Sequence, residues 1–217
     1  MTGALSFLDL LNRIPGLRAD FVHRVDGVDV DGDRDEVLDR LRPHHHSRVR
    51  EVFGKEDWWR AEQVHGNAVA EVGRGEPAEI PGVDGLVTAE PGQVLGIYVA
   101  DCGPIYLADQ QTGAIGLLHS GKKGTELRIL QEGLKRMSEL YGTRPEDVVG
   151  VLGPCIRPPH YDIDFAADIV SQAKEAGVGS FHDCGIDTAG DLEKYYTYRM
   201  EKGRTGRLLA LIMREEA

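Results

Sequence analysis

Residues 97–124 read IYVADCGPIYLADQQTGAIGLLHSGKKG, and this stretch decides the fold. Three apolar runs, Val94 to Val99, Ile105 to Ala108 and Ala114 to Leu118, are interrupted by tight breaks. One break is Ala100-Asp101-Cys102-Gly103-Pro104, and another is His119-Ser120-Gly121. Short, continuous apolar runs fit strands covered on both faces. The turn Asp109-Gln110-Gln111-Thr112-Gly113 carries the glycine that hairpin loops of this length favour. Two of the breaks hold side chains that bind metals well, Cys102 and His119. Gln63-Val64-His65-Gly66 offers a second histidine in a similar strand-to-turn setting. His65, Cys102 and His119 together make a three-ligand set, provided the strands bring them to one point.

Upstream of this stretch, Leu5, Leu8, Leu11 and Ile14 recur at helical spacing and stop at Pro15-Gly16. Phe21 to Val25 reads as a short strand, and the acidic segment Asp26 to Asp35 as a surface loop. Val37, Leu38, Leu41, Val49 and Val52 predict a helix over Glu36 to Phe53, interrupted or ended at Pro43. His44-His45-His46 falls inside it. Three consecutive side chains cannot face one point on a helix, so they are expected in a solvated loop or helix start. Trp58 to Val72 reads as a strand pair broken at His65-Gly66-Asn67, and Gly73 to Pro81 as a loop. Downstream, Leu127, Leu130, Leu134, Met137 and Tyr141 mark the clearest helix, with Gly142 as its stop. Val148 to Leu152 is a buried strand ending at Gly153-Pro154-Cys155, and Phe165 to Ala176 a second helix. Tyr195 to Met200 and Leu208 to Met213 both read as strands. With no repeat or low-complexity linker, residues 1–217 are expected to form one mixed α/β or α+β domain.

Hydrophobic content of 41% and charged content of 28% are those of an ordinary globular chain. A net charge of -11 argues against nucleic acid or an anionic membrane as partner, while local lysines still permit a small anion. The three cysteines are too far apart for a disulfide framework and fit a reducing compartment. The first residues lack a basic region followed by an apolar stretch and a cleavage site. No run reaches the ~18 apolar residues of a membrane span. A cytoplasmic protein is the expectation.

Six motifs, in order, carry a resemblance. They are Gln63-Val64-His65-Gly66, Asp84-Gly85-Leu86-Val87-Thr88, Ala100-Asp101-Cys102-Gly103-Pro104, His119-Ser120-Gly121, Gly153-Pro154-Cys155-Ile156 followed by Tyr161, and Tyr198-Arg199 followed by Thr205-Gly206-Arg207. From about Val64 onward the chain resembles the YfiH/laccase-domain family, once called polyphenol oxidase and now better described as purine nucleoside phosphorylase. The resemblance implies a single α/β domain with mixed β-sheets and flanking helices. It also implies a zinc site of two His and one Cys, with His65, Cys102 and His119 as metal ligands and catalytic residues. The implied activity is phosphorolysis of adenosine and inosine, with adenosine deamination as a second reaction. Zinc on three protein ligands leaves a fourth position for water or substrate, which serves deamination at C6 of adenine. The implied partners are a purine nucleoside and phosphate, and the implied state is a monomer or homodimer.

The turn Gly121-Lys122-Lys123-Gly124-Thr125 opens the long helix and is the expected phosphate seat, through free backbone N–H groups and two lysines. Here the chain departs from its relatives, which read His-Ala-Gly-Trp-Arg-Gly: Lys122 replaces the Trp and Lys123 the Arg. Lysine acts as a point charge where arginine grips phosphate with a fork. Arg199 and Arg207 match family positions and are candidates for phosphate or ribose. Cys155 is expected to be a small buried residue, and Cys184 has no assigned role. Asp101 is expected to orient neighbouring backbone or a metal ligand. Two other functions compete. One is a non-catalytic or repurposed zinc domain in cell-wall precursor quality control, and the other a copper phenol oxidase. The copper reading needs several metal centres, more than eight histidines with three in a row supply.

Overall fold

The computed structural model describes residues 6–216. Alternate residues of the apolar strands turn to different cores, and this parity stacks the elements into layers. One sheet has the order β1-β11-β6-β2-β4, from Leu17–Val22, Leu208–Arg214, Val94–Val99, Trp59–Ala61 and Glu79–Ile80. The other has the order β10-β9-β7-β8-β5-β3, from Ser180–Asp183, Val148–Leu152, Gly103–Asp109, Ile115–Ser120, Gly85–Thr88 and Val69–Glu71. Each sheet mixes parallel and antiparallel pairs: β6 pairs with β11 antiparallel and with β2 parallel, and β5 pairs with β8 antiparallel and with β3 parallel.

Leu95, Ile97 and Val99 of β6, Leu208, Ala210 and Ile212 of β11, and Tyr106 and Leu117 from the second sheet share one core between the sheets. Val94 and Tyr98 of β6 and Leu209, Leu211 and Met213 of β11 point the other way, onto α2 (Arg34–Phe53). Ile105, Leu107, Leu118 and Leu152 pack under α4 (Ile129–Tyr141) and α5 (Phe165–Glu175). Both faces of each sheet are thus covered, as the continuous apolar runs require. Gly96 is part of this fit, because a Cβ there would lie 2.3 Å from the Trp58 ring.

Several expectations are corrected. Pro43 neither ends nor interrupts α2. Asp33 caps the helix by accepting the N–H groups of Asp35 and Glu36, and Val37, Leu41, His45, Val49 and Phe53 form a buried stripe every four residues. That packing outweighs the ~3 kcal/mol a proline costs in a helix interior. The same stripe buries His45 completely, so the histidine run is neither a loop nor fully solvated. The strands β2 and β3 do not pair with each other but join different sheets. Tyr195 to Met200 is a series of turns, not a strand. Glu201 folds it back by accepting the Thr197 N–H (3.0 Å) and the Thr205 hydroxyl (2.6 Å). The long helix begins only at Ile129, because Arg128 is left-handed and separates it from the one-turn α3 (Lys122–Glu126). The first strand starts at Leu17, and the half-exposed β4 and β10 were not foreseen. The first helix, α1, shrinks to Asp9–Asn12, and Leu5 lies outside the described residues.

Candidate metal centre and cleft

Cys102 lies in the break between β6 and β7, and His119 is on β8. The β7–β8 register sets Gly103 opposite Ser120 and Pro104 opposite His119, which brings the thiol and the imidazole together. The third ligand comes from the loop after β2. Gln63 ties that loop to the first sheet: its side chain accepts the Tyr98 N–H (2.9 Å) and donates to the Tyr98 carbonyl. Gln63 and His65 are both left-handed (φ 67° and 60°), and His65 is the exposed member of the trio. One ligating atom from each of His65, Cys102 and His119 lies within 4.8 Å of the others. Among the described residues no other three histidine, cysteine or acidic side chains cluster this way. Gly121 makes room for the thiol, since a Cβ there would sit 2.5 Å from Sγ.

Asp84 organises the two histidines. The β5–β8 register places it beside His119, whose backbone N–H donates to the Asp84 carbonyl (2.7 Å). The fully buried carboxylate accepts Nδ1–H of His119 (2.8 Å) and the backbone N–H groups of His65 (2.9 Å) and Gly66 (2.6 Å). These bonds hold the carboxyl below its ordinary range, against the opposing push of burial. They also leave Nε2 of His119 as the free ligand atom. Burial pushes the Cys102 thiol up, but the adjacent His119 charge and hydrogen bonds from both histidines more than offset this and bring it to about 6. Burial lowers His119, yet Cys102 and Asp84 raise it to about 9. Each group thus favours the charged form of the other. Two imidazole nitrogens and a thiolate suit zinc, and the chemistry of the donor set fits that ion.

The trio opens onto a cleft of about 950 Å³. Lys122, Arg199 and Arg207 line it, whereas Lys123 is exposed and outside the lining. Tyr161, Phe165, Tyr198 and Val64 contribute apolar surface. Arg199 lies over the Tyr161 ring at 5.2 Å. Asp101, left-handed at φ 84°, accepts the Arg199 backbone N–H (2.7 Å) and the Thr188 hydroxyl (2.8 Å). It therefore orients backbone, while Asp84 orients the ligands. Cys155 is fully buried, and burial raises its thiol well above the ordinary range. Cys184, raised by burial to about 11, lines a separate groove with Phe7 and Leu10. Two cleft cations escaped the sequence reading, Arg34 and Lys202. Arg34 lies at the end of a segment read as an acidic loop, and only the N-cap signal of Asp33 could have placed it on a helix.

This fold and site define a family. The family model described as multi-copper polyphenol oxidoreductase laccase matches residues 27–167 and 159–215, and the chain belongs to that family. Among its relatives, the purine nucleoside phosphorylase of Deinococcus radiodurans is 35% identical over 211 residues, covering 82% of this chain and 80% of that one. The purine nucleoside phosphorylase YlmD of Geobacillus stearothermophilus is 31% identical over 236 residues, covering 88% and 83%. The crystal structure of YlmD from the same species superposes with a TM-score of 0.79 at 25% identity, covering 94% and 93%. Bacillus licheniformis YfiH shares the fold at a TM-score of 0.77.

Proposed function

We propose that this chain is a zinc-dependent purine nucleoside phosphorylase, cleaving adenosine or inosine to base and ribose 1-phosphate, with adenosine deamination as a second reaction. The carrying observation is that one cleft gathers the His65–Cys102–His119 trio, three of the four expected basic side chains and several aromatic faces. Relatives covering most of the chain bear the phosphorylase name. A single three-ligand group among the described residues favours zinc over a multi-copper centre. The free cysteines accord with a reducing, cytoplasmic setting.

In phosphorolysis a phosphate oxygen bonds to C1′ of the ribose as the bond from C1′ to the base nitrogen breaks, and that electron pair leaves with the base. The sugar passes through an oxocarbenium-like state, so most of the work is positioning and charge stabilisation. Tyr161 and Tyr198 offer faces on which a purine stacks. Arg199, Arg207 and Lys122 supply positive charge for phosphate. Asp101 fixes the backbone of Arg199, and Asp84 fixes the imidazole of His119. His65, Cys102 and His119 would hold zinc, which would supply Lewis acidity beside the cleft.

The test is release of base from inosine and of ammonia from adenosine, with and without phosphate, by zinc-loaded protein. Cys102→Ala is expected to lose both reactions together, because Cys102 and His119 at strand ends, and His65 in its loop, also shape the cleft. Absence of both reactions in the loaded wild type would sink the proposal and favour a binding module with no catalysis.

A further inference from the structure

We propose that Arg34, with Arg207 from the opposite end of the chain, forms a clamp for inorganic phosphate in this cleft. This assignment rests on the phosphorolysis proposed above. Arg207 immediately precedes β11, half-buried, and its Nη1 donates to the carbonyls of Thr205 (3.1 Å) and Gly206 (2.9 Å). Among the described residues no carboxylate forms an ion pair with it, although a desolvated charge without a counter-ion is costly. Burial lowers the pKa of Arg207, and the like charge of Arg34, which lines the same cleft, adds to this, while Tyr198, Cys102 and Asp101 oppose it.

Arg34 is equally under-paired. Its contacts are the Glu62 carbonyl (3.3 Å) and a long approach to Asp35 (3.7 Å), whose side chain is 87% exposed. It stands in the first turn of the 20-residue α2, where the helix dipole disfavours a cation. Both acidic residues lining the cleft are engaged elsewhere. Glu62 accepts the Gly82 N–H (2.6 Å), and Asp101 holds Thr188 and Arg199. Two guanidinium forks in one cleft, neither in a close ion pair with a carboxylate that lines it, are complementary to a tetrahedral oxyanion. Of the other cleft cations, Lys122 approaches Glu126 (3.9 Å), and Arg199 covers Tyr161 and approaches Asp162 (3.9 Å).

The experiment is calorimetric titration of inorganic phosphate into metal-loaded protein without nucleoside. Arg34→Ala and Arg207→Lys are each expected to weaken phosphate about tenfold to a hundredfold, with Arg34→Lys in between. Metal content should be unchanged, because Arg34 touches none of the three metal ligands. Unaltered phosphate affinity in Arg34→Ala would overturn the clamp, even if phosphate-dependent cleavage of inosine is robust. Weakened phosphate binding in a protein that cleaves no nucleoside would keep the clamp and remove the phosphorylase. A nucleoside 5′-monophosphate titrated in parallel separates the two sources of a phosphoryl group. An Arg34→Ala effect confined to the monophosphate would overturn the assignment to inorganic phosphate.

Discussion

His119 and His45 are both buried histidines within this domain, and their environments drive them in opposite directions. His119 sits on β8 between the Asp84 carboxylate and the Cys102 thiol, and its pKa rises to about 9. His45 lies on the buried stripe of α2, its ring 5.5 Å from that of Tyr98, and neither of its nitrogens has a partner. Burial, with small contributions from His44 and His46, lowers it to about 4. Desolvation penalises the charged ring at both places, and only at His119 do partners overcome it. The run of three histidines thus gathers no ligand set, while residues 65, 102 and 119 bring three ligating atoms within 4.8 Å of one another. A ligand set is created by convergence of side chains and by the groups behind them, not by local density of histidine.

Removing a ligand has the largest expected effect on this contrast. Cys102→Ala should purify without stoichiometric metal, whereas His45→Leu should retain it; elemental analysis of the two proteins decides the matter. Equal metal content in both would mean that the trio is not the binding site.

A smaller effect is expected from acid, acting through His45. The unfolded chain takes up a proton near pH 6.5, and the folded one only near 4. Between those values the unfolded state binds more protons, so stability is present in full above about 6.5 and is lost as pH falls toward 4. The loss from this residue is about 3 kcal/mol at most. His45→Leu removes that term and strands no hydrogen-bonding partner. Chemical denaturation at pH 5 should therefore find the variant more stable than wild type; a variant as acid-sensitive as wild type would show that His45 is not responsible.

The smallest effect is expected at the carboxylate behind His119. Asp84→Asn keeps the shape but forces an amide N–H toward one of the three donors that Asp84 now satisfies. Zinc affinity should fall about tenfold to a hundredfold, less than on deleting a ligand. Competition with a chelator of known affinity measures this. Loss of zinc as complete as in Cys102→Ala would make Asp84 a builder of the fold rather than a positioning residue.

Much of this was legible in the sequence because it follows from local pattern. The runs at Val94 to Val99 and Ala114 to Leu118 announced strands buried on both faces, and the periodicity of Leu130, Leu134 and Met137 announced the helix over the second of them. The break after the first marked Cys102; His119, read as the start of a break, lies within β8, and the strand-to-turn setting of His65 completed the trio now found within 4.8 Å. Tertiary structure decided the rest, because the deciding contacts join residues remote in sequence. Pairing of β5 with β8 selected Asp84, not Asp101, as the partner of His119. A packed stripe carried α2 through Pro43 and buried His45. The turn after β8 sent Lys122 into the cleft and left Lys123 outside it, although the two are adjacent and chemically identical. Arg34 reached that cleft only because α2 packs on the sheet that Arg207 precedes. Sequence period fixes which face of an element is apolar, but the direction of a charged side chain depends on which element lies across from it.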